Sequence, residues 1–270
     1  ALSIAIFTVI STVETSVTTS IDTRRVGRVD VAVLDRPAAL SLVTSAITDK
    51  RPWLICFANA HTVNIARRNE QFANALDSAL VLNDGIGVEL ASRWLYRQSF
   101  PDNLNGTDFT PDLLQRLPQG TSIFLLGGPT GAAERAGDAI LERHPHLIIA
   151  GTHHGFFAKA KEGEVSEQID ASGADLVLAA MGNPRQELWA AAQIRALGIP
   201  VLCVGALLDF YAGTARRAPG WLRRVRLEWA WRLMLEPRRL ARRYLIGNPS
   251  FLAHTLRARP HEGTFIPPNR

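Results

Sequence analysis

The chain has 270 residues, 47% of them hydrophobic, enough to bury a sizeable core in one large α/β domain or one domain with an appendage. Its only cysteines, Cys56 and Cys203, sit inside apolar runs, which excludes a disulfide framework and reads as two reduced core thiols in a cytoplasmic setting. The formal charge of +5 hides an asymmetry: residues 211–270 carry 13 arginines, no lysine and 3 acids (+10), leaving 17 bases and 22 acids (−5) for residues 1–210.

Residues 1–28 are Thr/Ser-rich and read as a weakly ordered leader with room for a strand. The apolar opening, ALSIAIFTVI, is too short for a membrane span and lacks the basic residue of a signal peptide. From Val29 the pattern sharpens into strand VDVAVL, a helix start at Pro37, and the continuous apolar run WLICFA at 53–58. Such a run fits a strand covered on both faces, hence a parallel sheet with crossover helices. The unit then repeats. A helix over 61–75 leads to strand ALVLN, helix 86–97, a loop, helix 109–117 and strand SIFLLG. Helix 130–143, strand LIIAG, helix 163–172, strand DLVLAAMG, helix 185–196 and strand VLCVGA follow.

The alternation predicts a doubly wound, mostly parallel, Rossmann-like α/β domain over 29–210. Residues 211–270 are expected to form a basic helical appendage with no further strand. Its arginines suit an anionic partner, whether nucleic acid, a phospholipid surface or a phosphorylated substrate. The interleaved Trp221, Trp229 and Trp231 favour an anionic membrane surface over nucleic acid. A solvated helical face with its aromatics packed on the body is the simpler alternative.

In open sheets of this kind ligands sit beyond the carboxyl ends of the strands. Asp84 leaves a strand there, followed by Gly85 and Gly87; it reads equally as a general base in the crevice or as an N-cap for the next helix. Gly127-Gly128-Pro129-Thr130-Gly131 could offer amides to a phosphate or be only a tight turn. Gln186 and Glu187 open a helix after Pro184, where the glutamine could reach a sugar or uracil edge, or the pair could simply start the helix. Asp209 fits a ribose hydroxyl or a cap. The histidines show no ligand spacing and no nucleophile elbow occurs, so neither a metal nor covalent catalysis is expected.

Taken together the motifs resemble the WecG/TagA/CpsF glycosyltransferases, over roughly Val29 to Phe251. The resemblance is carried by Asn59 after a strand, Asn83-Asp84-Gly85-Ile86-Gly87, Gly106-Thr107-Asp108, Leu126-Gly127-Gly128, and Gly151-Thr152-His153-His154-Gly155-Phe156-Phe157. Further along it rests on Pro184-Arg185-Gln186-Glu187-Leu188-Trp189, Asp209 to Gly213, Arg217-Ala218-Pro219-Gly220-Trp221, Leu227-Glu228-Trp229, and Glu236-Pro237-Arg238-Arg239 with Arg242-Arg243-Tyr244. It implies inverting transfer of a hexose from a UDP-sugar to an undecaprenyl-diphosphate-linked sugar in surface or exopolysaccharide synthesis, without metal or other cofactor. The setting implied is peripheral, on the inner face of the bacterial cell membrane, with self-association into a homo-oligomer.

Under the resemblance Asp84 is the catalytic base, Asn59 and Gln186 are substrate-site polar residues, and Asp209 is a nucleotide-side position. Asn83, Asp108, Gly127 and Gly128 are further substrate-binding positions, and Arg217, Arg232 and Arg239 are the arginines chosen to hold the leaving diphosphate. Phe57 and Asn103 stand where many members carry Thr and Arg, which shifts the expected donor toward glucose before N-acetylmannosamine. The rival from another class is a non-catalytic nucleotide-binding module whose arginine tail holds RNA or lipid.

Overall fold

The computed structural model describes residues 20–220, 222 and 228–268, without the side chains of Arg232 and Arg239. Two short strands, β1 (Ile21–Val26) and β2 (Val29–Ala32), precede the main sheet. That sheet is built from β3 (Leu54–Ala58), β4 (Leu80–Asn83), β5 (Ser122–Gly127), β6 (Ile148–His153), β7 (Leu176–Ala180) and β8 (Val201–Cys203). Its order is β4-β3-β8-β7-β5-β6, and every pairing is parallel.

The apolar runs earn their continuity by facing two cores. Ile55, Phe57, Leu80, Leu82, Ile123, Leu125, Leu176, Leu178 and Leu202 pack on one face, and their neighbours Leu54, Cys56, Val81, Phe124, Leu126, Val177 and Val201 on the other. The first face is covered by α1 (Arg36–Thr48), α5 (Gly106–Arg116), α6 (Ala132–Arg143) and α9 (Leu207–Tyr211). The second is covered by α2 (Ala60–Ala66), α3 (Glu70–Asp77), α4 (Ile86–Tyr96), α7 (Glu162–Ala171) and α8 (Arg185–Leu197). This is the expected doubly wound, Rossmann-like arrangement. Both cysteines are buried and unbridged.

The chain winds outward from β3 to β4 on one side and from β5 to β6 on the other, and β7 and β8 fill the gap between them. A crevice forms where the winding reverses, at the carboxyl ends of β3, β8, β7 and β5.

Two expectations need correction, and a third is made definite. The helix expected over 61–75 is two helices, because the Asn69 side chain accepts from the Phe72 amide and starts α3 afresh. The strand for which the expected leader left room is Ile21–Val26, paired with β2 and with a late strand, β9 (Glu262–Phe265), while residues 1–19 lie outside the described residues. β9 contradicts the expectation of helices alone after Asp209. Its sequence, EGTF, has no apolar period; pairing with β1 and the edge-on packing of Phe265 against Trp53, with ring centroids 6.4 Å apart, fix it instead.

Between α9 and β9 the regular structure among the described residues is helical, with helices at Glu228–Leu235, Pro237–Ala241 and Gly247–Thr255. The last of these is anchored on the α/β body: Phe251 is buried in its second core, Asn64 donates to the Gly247 carbonyl at 2.8 Å, and Arg67 reaches Ser250. No helix among the described residues is long and apolar enough to cross a membrane.

Candidate active site

A cleft of about 640 Å³ opens at the carboxyl edge of the sheet. Each strand end contributes to it: Asn59 and His61 after β3, Asp84 after β4, Gly128 after β5, Phe156 after β6, Asn183 and Gln186 after β7, Gly205 and Asp209 after β8. Gly106 and Thr107, at the start of α5, line one wall, and Leu240 and Arg243 close it from the C-terminal helices.

Local structure explains how these side chains are aimed. Asn59 caps α2, its Oδ1 accepting from the amides of His61 and Thr62 at 3.0 and 3.2 Å, which leaves its amide nitrogen to donate to Asp84 Oδ2 at 3.3 Å. Asp84 itself does not cap α4. The cap residue is Gly85, at φ +82° and without a side-chain cap bond, so the capping alternative for Asp84 drops out. The Asp84 amide is tied to the Ala58 carbonyl at 2.8 Å, and the Gly85 amide donates to Asn103 Oδ1 at 3.1 Å, which fixes the loop that carries the carboxylate.

Asn83 lies beneath this loop, fully buried, donating to the Asp102 carbonyl at 2.8 Å, and does not line the cleft. Gly127 and Gly128 form the turn after β5. A Cβ at Gly127 would meet the Ala180 carbonyl oxygen at 2.5 Å, and one at Gly128 would meet the Ala132 Cβ at 2.9 Å, so close packing of strand ends demands both glycines. Gly128 also faces Asp209, whose Oδ1 would lie 3.8 Å from such a Cβ. The turn is therefore tight for packing reasons, and its Gly128 face still opens to the cleft.

Asp108 sits in the first turn of α5 and pairs with Arg217, beside the wall that Gly106 and Thr107 form. This ion pair draws the start of the C-terminal segment against the domain. The side chains of Arg232 and Arg239, and Trp221, lie outside the described residues.

Among the cleft residues that escaped the reading of site residues from the sequence, Arg243 and His61 bear most on the chemistry. Arg243 lines the cleft because the chain folds back over it, and nothing in a run of 13 arginines singles it out. His61 is held down to about 4, first by burial and then by the neighbouring Arg243 cation, so it presents a neutral imidazole to the cleft at physiological pH. Phe57, at the base of the cleft, packs edge-on against Phe109 with centroids 6.0 Å apart, and its ring leaves room only for glycine at 106. Among the described residues no group of three or more His, Cys, Asp or Glu side chains is placed to hold a metal ion.

A Rossmann-like domain with a polar crevice at the reversal of its winding, holding a positioned carboxylate and closed by an arginine from a C-terminal segment, is a ligand-binding enzyme scaffold in its architecture. The profile of the glycosyl transferase WecG/TagA/CpsF family matches residues 24–263, nearly the whole described chain. The protein belongs to that family and is a glycosyltransferase, acting on a sugar donor and an acceptor.

Proposed function

We propose that the protein moves a hexose, glucose or N-acetylmannosamine, from a UDP-sugar to an undecaprenyl-diphosphate-linked sugar, with inversion and with Asp84 as the base. The observation that carries this reading is the Asp84 carboxylate: it lines the cleft, is oriented by the Asn59 amide, and is not spent on capping α4. Inversion by direct displacement needs one base to take the proton of the attacking acceptor hydroxyl, while the sugar–phosphate bond breaks on the opposite side. The departing diphosphate then needs cationic support.

In this reading the nucleotide lies toward Gly127, Gly128 and Asp209, and the acceptor hydroxyl approaches between Asn59 and Asp84. Arg243 joins Arg217, Arg232 and Arg239 as a source of positive charge for the diphosphate, without a metal. Asp108 holds Arg217, Asn83 stiffens the Asp84 loop from below, and Gln186 shapes the wall after β7. The appendage lies on the inner face of the bacterial cell membrane. Support comes from its net charge and from exposed Leu245, Ile246, Met234 and Leu252 on the same helical segment.

The test is a screen of UDP-sugars with a short-chain diphospholipid-linked sugar, following UDP release and the anomeric configuration of the product. Acceptor-dependent release of UDP from a UDP-hexose, with inversion, is expected. Retention of configuration, or turnover of no UDP-sugar, would overturn the reading.

A further inference from the structure

Beyond the ladder that pairs β7 with β8, which closes with the Val204 amide donating to the Ala179 carbonyl at 2.8 Å, the two strand ends part and each enters a cleft-lining loop. One buried side chain bridges them. Gln186 Oε1 accepts from the Gly182 amide at 3.0 Å and from the Gly205 amide at 3.2 Å, and so holds both loops at once. Its Nε2 donates to Glu187 Oε1 at 2.9 Å, and the same oxygen accepts from Asn183 Nδ2 at 2.7 Å. Gly182, Asn183 and Gly205 all line the cleft.

We propose that Gln186 and Glu187 form a positioning pair for glycosyl transfer, a hydrogen-bonded tie that sets the spacing of the two loops at the cleft floor. Glu187 is an expensive residue to place there. It is 1% exposed, its Oε2 has no partner among the described residues, and burial lifts its carboxyl to about 7. The charged or titratable groups that face it are the thiols of Cys56 on β3 and Cys203 on β8, both pushed up by burial and neutral. Among the described residues no cation pairs with the carboxylate; its hydrogen bonds come from Gln186 and Asn183. An apolar residue would fill the volume at lower cost but would leave both amide groups without an acceptor, and Gln186 free to turn away from Gly182 and Gly205.

The tie depends on the protonation of Glu187. Its bonds from Gln186 and Asn183 are charge-assisted in the carboxylate form and weaker in the acid form, so as long as Glu187 stays buried the tie between the loops is firmer above neutrality, even as the burial of the carboxylate lowers the stability of the whole fold. The inference rests on the family's glycosyl transfer, and its first readout requires no donor, so failure of the proposed donor or acceptor is distinguishable from failure of the tie.

The test compares amide hydrogen exchange in the full chain with Gln186→Ala, Glu187→Ala and Glu187→Gln. Exchange at Gly182 and Gly205 is expected to rise roughly fivefold or more in both alanine variants, as for loss of one hydrogen bond, with central strand amides unchanged. Glu187→Gln keeps an oxygen for both donors and should restore slow exchange. With a turned-over donor, kcat should fall in the alanine variants more than KM rises, and the wild-type break in kcat/KM near neutrality should vanish in Glu187→Gln. Unchanged exchange at Gly182 and Gly205, or a uniform rise across the sheet, would overturn the proposal. If the alanine variants do not fold, wild type and Glu187→Gln are compared between about pH 5.5 and 8.5 after correction for intrinsic exchange. Protection at Gly205 that rises with pH relative to the central strand amides in wild type alone supports the tie, and a ratio that does not rise, or that rises equally in both proteins, refutes it.

Discussion

Replacing Glu187 with glutamine should stabilise the protein more at alkaline than at acid pH. The buried carboxyl has a folded value of about 7 against an ordinary 4.5. With its pKa raised, the folded state binds the proton more tightly than the unfolded chain does. The associated stability is fully present below the unfolded value near 4.5 and is lost as pH rises through about 7. At 1.36 kcal/mol per unit, the difference of 7 − 4.5 = 2.5 units corresponds to on the order of 3 kcal/mol lost by wild type across that window. Glutamine does not titrate. The fixed cost of burying its amide is the same at both ends of the window and cancels in the comparison. Thermal unfolding of both proteins at about pH 5 and 8.5 should therefore show the Tm difference, variant minus wild type, rising by roughly 5–10 °C toward the higher pH. A Tm difference independent of pH would mean that Glu187 is not a buried titrating acid, and the reasoning about its environment would fail.

Other parts of the structure make separate demands. Phe251→Ala removes the ring that seats the helix Gly247–Thr255 in the second core and should cost about 3–5 kcal/mol, seen as faster proteolysis of that helix; unchanged resistance would refute the packing. Arg243→Ala removes a cation that depresses His61, so the imidazole titration followed by NMR should move up from about 4 while remaining below the ordinary range, because burial is the larger cause; no movement would separate the two residues. Changing Leu245 and Ile246 together to aspartate should abolish flotation with anionic vesicles without lowering Tm, since both are exposed; retained flotation would count against membrane contact through this segment. Gly127→Ala should destabilise by about 1–3 kcal/mol in a denaturant melt, because its Cβ would meet the Ala180 carbonyl oxygen at 2.5 Å; a neutral effect would contradict the close approach of β5 and β7.

The α/β body was readable because its strands face two cores and so appear as unbroken apolar runs, as in Leu54–Ala58 and Ser122–Gly127. The strand Glu262–Phe265 was not, since its conformation comes from a partner more than two hundred residues away and not from its own period. The break between α2 and α3 turns on one side-chain bond from Asn69, which sequence spacing alone does not weigh against a continuous helix. At the site, position told that Asp84 stands where a strand ends, but a base and a cap both stand there. Only the conformation of Gly85 separates them. Gln186 was legible as a polar residue at the cleft, whereas its two backbone donors, one of them from the loop after β8, follow from the sheet order. Arg243 needed the fold-back of the C-terminal helices, for which the arginine run gives no ranking.

The assignment of Asp84 as the base is tested most directly by the rate constant of Asp84→Asn under saturating donor and lipid acceptor, with donor binding measured alongside by calorimetry. Asparagine keeps the size and the bond with Asn59 within reach but cannot take a proton. Donor affinity should stay close to wild type while kcat falls about 100-fold or more. Turnover near the wild-type rate would contradict the assignment.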